Sequence, residues 1–403
     1  MFSIDFNPLI WILPGVALLV TAWCIWRGLR PQRLAAALPQ HDAGDEQETA
    51  EENGEAALPG VSVIVHGFED RDSLEAFLQQ MDFQDYPDFE VIVVLETHSR
   101  EIMEWASNYE VQYPWLHVTF MLSGAKGLSR HKLALTIGMK AAKKDVVLTT
   151  SVRASIPDNH WLSHMMEPYR EQGVDVVLGY SRLNFRDLHG AWKWYGQFDG
   201  VMTDSQWIGY AVAGMPYRGD GNNLAFRRKL FFDHKGYART IHLNNGEDDI
   251  FLNEICRGDN TRVVVDSTTI LTISWGREAH HLQSLRKERY AFTQRWLPKG
   301  PFRRAGFVSA SQWIVLLLAV AGGLLGLPSL VPAIAGAVIL LIFWGCEIAT
   351  YRATAKKLEA VRLWWAVAPF MLVRPIANFF FRMSMRRTGY KNYTYQCKTP
   401  FNR

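Results

Sequence analysis

Cysteine is scarce in this 403-residue chain, and the four present (Cys24, Cys256, Cys346, Cys397) lie far apart, two of them in apolar runs. That scatter excludes a paired-cysteine metal site, offers no disulfide framework, and fits a reducing, cytoplasmic environment. Charge of one sign is missing as well: 43 basic residues against 40 acidic ones leave a net charge of +3, and composition gives no footprint for nucleic acid. The marks of a cleavable leader are also missing, since no basic segment precedes the first apolar run and no A-x-A site follows it, so a membrane anchor is expected there, with a signal peptide as the rival reading. No internal repeat is found.

What is abundant is apolar and aromatic. Fifteen Trp and 22 Phe suit a chain that partly sits at a bilayer interface. The run Leu9–Trp26 approaches the ~20 residues a spanning helix needs, and Arg27, Arg30 and Arg33 after it predict a cytoplasmic C-terminal end. Two further runs, Val308–Leu325 and Leu330–Ile348, are separated by Gly326-Leu327-Pro328. Arg303 and Arg304 before the pair, with Arg352, Lys356 and Lys357 after it, predict a hairpin with both ends cytoplasmic. A fourth run, Leu363–Phe380, is interrupted by Arg374 and Pro375 and followed by Arg382, Arg386 and Arg387. The positive-inside rule reads it as an interfacial or re-entrant helix, with an ordinary fourth span as the alternative.

Between the first span and the core, Gln40–Ala57 is acidic and has no hydrophobic period, the pattern of a flexible linker. Val61–Val65 then opens a series of buried strands: Phe89–Val94, Leu116–Leu122, Asp145–Thr149, Val174–Tyr180 and Thr261–Val265. Helical stretches intervene at Asp72–Met81, with Leu74, Phe77 and Leu78 on one face, and at Ser129–Ala142. Alternation of this kind predicts a doubly wound α/β sheet whose ligands bind at the carboxyl ends of its strands.

The order of the pieces resembles the family 2 glycosyltransferases, whose fold is GT-A. The resemblance is carried by Val61–Val65, by the phrase Gln84-Asp85-Tyr86-Pro87-Asp88-Phe89-Glu90-Val91-Ile92-Val93-Val94, and by Gly127-Leu128-Ser129-Arg130-His131-Lys132-Leu133-Ala134-Leu135-Thr136. It continues at Gly219-Asp220-Gly221-Asn222-Asn223-Leu224-Ala225-Phe226-Arg227 and Gly246-Glu247-Asp248-Asp249-Ile250-Phe251. The implied layout is an N-terminal anchor (1–30), an acidic linker (31–58), a GT-A domain with a mainly parallel sheet (59–300), and a C-terminal hairpin with interfacial helix and tail (301–403).

By resemblance, Asp248 is the catalytic base, taking the acceptor's proton in an inverting displacement, with Glu247 and Asp249 in support. Read without the resemblance, the trio simply starts the helix Ile250–Ile255, because acids favour a first turn. Arg286-Lys287-Glu288-Arg289-Tyr290 occupies the place of a Q-x-x-R-W motif that holds the acceptor and the diphosphate; Gln294-Arg295-Trp296 is a second register, and a basic helix on anionic lipid is the bland alternative. Gly221, Asn222 and Asn223 line a sugar in the resemblance and are otherwise a turn. On the donor side the matched stretch under the nucleotide holds Lys132, and the residues standing at the other donor positions are His66 (equally a packed loop histidine), Glu96, Thr150, Ser151 and Arg153.

The departures fall on that donor side. The family's Asp-x-Asp, which holds a divalent cation against the diphosphate, is replaced by Thr150-Ser151-Val152-Arg153, which leaves a metal without its usual carboxylates. Leu95-Glu96 stands where Asp-Asp is common, and His66-Gly67-Phe68-Glu69-Asp70 replaces the usual turn. One explanation is that Arg153 supplies the positive charge in place of the metal; the other is a silent, glycosyltransferase-like subunit of a membrane glycan machine. Nucleotidyl transfer would need metal-holding carboxylates, and no polar stripe along the spans suggests a channel. The expectation is an enzyme of the inner membrane with a cytoplasmic catalytic domain. Its expected partners are the bilayer, a nucleotide sugar, a lipid-linked or polymeric glycan and other envelope-assembly proteins, without nucleic acid.

Overall fold

The computed structural model describes residues 8–39, 57–66, 71–96, 100–121, 128–184, 191–274, 279–327 and 330–388. Of the acidic stretch Gln40–Ala57, all but Ala57 lies outside them, and residues 30–36 ahead of it form a short helix, Arg30–Ala36. The chain folds into two compact units, one of Met1–Leu38, His189–Tyr210 and Pro298–Met383, the other of Pro39–Leu188, Ala211–Leu297 and Ser384–Arg403.

The second unit is built on ten strands: β1 (Val61–His66), β2 (Phe89–Glu96), β3 (Leu116–Met121), β4 (Val146–Ser151), β5 (Ala154–Ser155), β6 (Val176–Leu178), β7 (Ser181–Leu183), β8 (Leu224–Arg227), β9 (Thr261–Val263) and β10 (Leu271–Ile273). Seven form one sheet in the order β3-β2-β1-β4-β8-β6-β9, and β5-β10-β7 form a small second sheet. The pairs β1–β2, β1–β4, β2–β3 and β6–β9 are parallel, while β8 runs antiparallel to both its neighbours. Every residue of β4 is buried, as a strand covered on both faces requires. The helix Arg71–Asp82 buries Leu74, Phe77, Leu78 and Met81, an i, i+3, i+4, i+7 stripe. The helix Arg130–Ala141 starts at Ser129, whose hydroxyl accepts from the Lys132 amide at 3.4 Å.

The first unit is helical. Four helices among the described residues are long and apolar enough to cross a membrane: Trp11–Ala36, Lys299–Leu325, Val331–Lys357 and Trp364–Met383. The first carries a π-helical turn, Cys24–Gly28, where two carbonyls, of Ile25 and Trp26, accept from Arg33 Nη2 at 2.6 and 2.8 Å. It pairs antiparallel with Lys299–Leu325. Trp23 meets Phe307 edge-on at 4.9 Å, Gly28 lies against Val308, and Leu13 and Pro14 lie against Gly322. Gln312 links to Glu347 across the next helix pair, and Trp344 Nε1 donates to Gln312 Oε1 at 3.2 Å, the polar contacts expected between apolar helices.

The fourth run, interrupted in sequence by Arg374 and Pro375, forms a helix Val367–Thr388 that continues through Pro375. Arg374 is buried and its Nε donates to Asp199 Oδ1 at 3.0 Å. Asp199 belongs to Ala191–Val212, a helix absent from the sequence reading. This helix packs tightly on the chain around Pro31: a Cβ on Gly209 would stand 1.7 Å from the Pro31 carbonyl oxygen.

Candidate functional site

The site lies in the second unit, where β4, the loop before β8 and the loop before the helix Ile250–Ile255 meet the helix Ala279–Thr293. Gly246, at φ +111, turns the chain into Glu247, and a side chain there would also strike Ile250. The acid trio that follows divides into three environments.

Asp249 is the N-cap of Ile250–Ile255, accepting from the Ile250 amide at 2.7 Å. Its other oxygen takes the Thr293 hydroxyl and stands 3.5 Å from Arg218 Nη2. For this residue the helix-start reading holds. Glu247 is buried and paired with Arg289, with His131 Nε2 3.6 Å from the same oxygen; its second oxygen has no partner among the described residues. Burial alone would raise the Glu247 pKa, but Arg289, His131 and Lys132 together hold it down to about 2. Asp248 is half-buried, and its carboxylate makes no hydrogen bond or ion pair among the described residues. Burial and the neighbouring charges of Glu247, Asp249 and Asp220 push its pKa up to about 7, with Arg289 opposing them.

The loop 219–223 faces this carboxylate. A Cβ on Gly221 would come within 3.1 Å of Asp248 Cβ and 3.6 Å of Oδ2, so the absent side chain keeps the approach open. Thr149 Oγ1 donates to the Gly221 carbonyl at 2.8 Å, pinning the loop to β4. Asp220 accepts from the Ser181 amide and hydroxyl at 2.8 and 2.6 Å and from Asn222 Nδ2 at 3.0 Å. Asn223 is fully buried, donating to the carbonyls of Tyr180 and Thr269 at 3.1 and 2.9 Å. Asn223 is thus a structural tie, and Gly221 and Asn222 are the loop residues left nearer the acid.

The helix Ala279–Thr293 distinguishes the two registers of its motif. Arg289 meets Glu247, whereas Arg295 is exposed over Phe292 and Trp296 at 5.1 and 5.3 Å. The Glu247 pair draws Arg289 into the acid cluster. Arg286 Nε donates to Tyr290 Oη at 3.1 Å, and the Arg218 guanidinium stacks 3.7 Å from the Tyr290 ring centre. Lys132 is completely buried, and its Nζ donates to the carbonyls of Thr240 and Asn245 at 2.8 and 2.9 Å. Burial lowers its pKa to about 8 although Glu247, Asp249 and Asp248 pull it upward. Lys132 therefore braces the floor of the acid cluster.

On the donor side, Thr150 and Ser151 are buried at the carboxyl end of β4, and the Thr150 hydroxyl has no partner among the described residues. Ser151 Oγ accepts from the Arg153 amide at 3.3 Å, which forms the turn into β5. Arg153 is half-buried. His66 pairs with Ser151 in the strand register, and Glu96 ends β2; the side chains of both lie outside the described residues. His131, Arg218 and Thr293 were missed as site residues. His131 had a signal in its place beside Lys132 on the same helix turn, but the other two are brought in only by the fold.

Comparison with known proteins now has a geometry to explain. No curated protein matches the sequence. Among solved structures, the mannosyltransferase PcManGT from Pyrobaculum calidifontis, in complex with GDP-Man and Mn2+, aligns with a TM-score of 0.51 and 18% identity, covering 93% of this chain and 98% of that one. The glucosyl-3-phosphoglycerate synthase from Mycobacterium tuberculosis, in complex with Mn2+, UDP and phosphoglyceric acid, aligns at a TM-score of 0.38 and 14% identity, over 60% of this chain and 80% of that one. The first likeness is one of fold. The family model for glycosyl transferase family 21 matches residues 9–387. Over nearly its whole length, then, this chain with its GT-A fold belongs to glycosyl transferase family 21.

Proposed function

We propose that the protein transfers a sugar from a nucleotide-sugar donor to a membrane-associated or envelope glycan acceptor, with inversion at the anomeric carbon. Asp248 is the base. Its carboxylate takes the acceptor hydroxyl's proton, the acceptor oxygen bonds to the anomeric carbon, and the bond to the nucleoside diphosphate breaks on the opposite face. The electron pair leaves with the diphosphate. The observation that carries this reading is the division of the acid trio: two members are bonded, and the Asp248 carboxylate has no partner among the described residues, beside an open glycine loop and with a pKa of about 7. A base poised near the working pH transfers protons most effectively. Glu247 and Arg289 set its field, and Arg289 with Arg286 and Tyr290 holds the diphosphate or acceptor end.

The GDP-Man complex of the mannosyltransferase that shares the fold supports a nucleotide-sugar donor. The carboxyl end of β4 does not fit a divalent cation, because it offers Thr150, Ser151 and the guanidinium of Arg153 in place of carboxylates. In this reading Arg153 offsets the leaving diphosphate's charge directly. Four helices long and apolar enough to cross a membrane support a membrane-bound enzyme, and the basic residues that follow the first of them favour a cytoplasmic catalytic unit in this reading.

Calorimetric titration of the detergent-purified chain with nucleoside diphosphates, with Mn²⁺ and again with chelator, tests the donor half. Binding that survives chelation and is lost in Arg153→Ala is expected; no binding under any condition would sink it. The same departure at β4 favours one second reading, a silent binding subunit. That reading requires Asp248→Asn to leave the biological output intact, whereas an enzyme loses nearly all of it.

A further inference from the structure

Within the helical unit, a groove of about 600 Å³ opens between the first helix and Lys299–Leu325, lined by Leu19, Val20, Trp23, Arg303, Arg304 and Phe307. Its volume falls in the roughly 300–1,000 Å³ range of small-molecule sites. The antiparallel pairing of the two helices gives the groove a direction. Gly28 lies against Val308 and Leu13 against Gly322, so Arg303 and Arg304 sit at the end where Arg27 and Arg30 follow the first helix. Leu19 and Val20 lie more than a turn from Gly28, towards the apolar middle of both helices. The groove therefore has a basic mouth and an apolar body.

Two features keep it from closing. The π-helical turn Cys24–Gly28 interrupts the first helix beside the groove, and such turns are frequent at functional sites. Trp23 and Phe307 meet edge-on at 4.9 Å and form a floor, yet remain 39% and 40% exposed, while Leu19 is 71% exposed. The Arg304 guanidinium rests over the Tyr210 ring at 5.5 Å, which orients it without neutralising its charge.

We propose that this groove is a binding site for one anionic phospholipid, its acyl chain on Leu19, Val20, Trp23 and Phe307 and its phosphate on Arg303 and Arg304. Charge complementarity selects the headgroup, since an arginine fork matches phosphate oxygens in paired hydrogen bonds. The apolar body requires a chain attached to that phosphate. The site is separate from the Asp248 centre, and the proposal does not depend on which sugar is moved or whether any is.

Native mass spectrometry of the full chain in detergent tests it, with dioleoyl-phosphatidylglycerol or dioleoyl-phosphatidylcholine added. The wild type should retain one phosphatidylglycerol in preference to phosphatidylcholine. Arg303→Gln with Arg304→Gln should weaken that lipid by about ten- to thirty-fold, from the roughly 1 kcal/mol a basic residue contributes towards anionic lipid. Val20→Trp, which fills the groove and leaves both arginines, should lose it too. Arg27→Gln with Arg30→Gln should keep it. Thermal unfolding confirms that each variant is folded; if the Arg303/Arg304 pair is not, Val20→Trp decides. Retention in Val20→Trp, equal loss in the Arg27/Arg30 variant, or complete displacement by millimolar inorganic phosphate would overturn the proposal, leaving only diffuse surface attraction or a free-phosphate site.

Discussion

Replacing Asp248 with asparagine should abolish transfer and at the same time stabilise the protein, and the pH dependence of the gain follows from the site. The native carboxyl has a pKa pushed from 3.8 to about 7 by burial and by Glu247, Asp249 and Asp220. A carboxyl whose native pKa lies above its unfolded one keeps a proton in the fold that the unfolded chain has already released. Stability contributed by this group is therefore fully present below about pH 4, lost as pH rises to about 7, and level above that. The displacement of roughly three units corresponds to about 4 kcal/mol at 1.36 kcal/mol per unit. Asp248 is only half-buried, so solvent screening reduces the effect to about 1–3 kcal/mol. Asparagine cannot ionise and escapes the loss altogether. Thermal unfolding of the detergent-solubilised chain should show no difference between variant and wild type near pH 4, and a gain that grows up to pH 7. For a unit of this size each kcal/mol moves the Tm by about 2–4 °C. An offset equal at all pH values, or an asparagine variant less stable at pH 8, would refute the electrostatic account. Stability gained where activity is lost marks a group retained for chemistry.

The remaining predictions concern the same centre and the helical unit. Transfer rate should rise with pH through about 7, as Asp248 loses its proton while Glu247, held near 2, stays ionised throughout; a flat profile between pH 5.5 and 8.5 argues against Asp248 as base. Arg374→Ala leaves Asp199 buried without its counter-charge and should cost about 3–5 kcal/mol, whereas replacing both with Leu and Met should cost far less, as read by thermal unfolding. Gly209→Ala drives a Cβ to 1.7 Å from the Pro31 oxygen and should lower the yield of folded protein sharply; Gly200→Ala, with nothing within 4 Å, should be close to neutral on the same helix.

Local pattern carried much of the sheet. Val61–His66 and Phe89–Glu96 are legible because strands covered on both faces must be continuously apolar, and Arg71–Asp82 because its buried residues recur at helical spacing. The helix Ala191–Val212 escaped for the converse reason. Gln197, Asp199, Asp204 and Gln206 interrupt its apolar residues, and all four are buried. The partner that makes Asp199 tolerable is 175 positions away. The buried Arg374 in the fourth apolar run is likewise explained only by that distant carboxylate, which no local pattern supplies.

The acid trio shows the limit most sharply. An N-cap and a general base both call for a carboxylate just before a helix, so Glu247-Asp248-Asp249 is equally good evidence for either role in one dimension. The fold separates them through partners no spacing rule supplies. Thr293 and Arg218 occupy Asp249, and Glu247 is taken by Arg289 of the helix Ala279–Thr293, while Arg295 lies beyond that helix in the turn Gln294–Trp296. What remains is one carboxylate crowded by like charge, with no bonded partner among the described residues. Three acids in a row thus become a cap, a counter-ion and the carboxylate proposed as base, and that last role would account for the instability it brings.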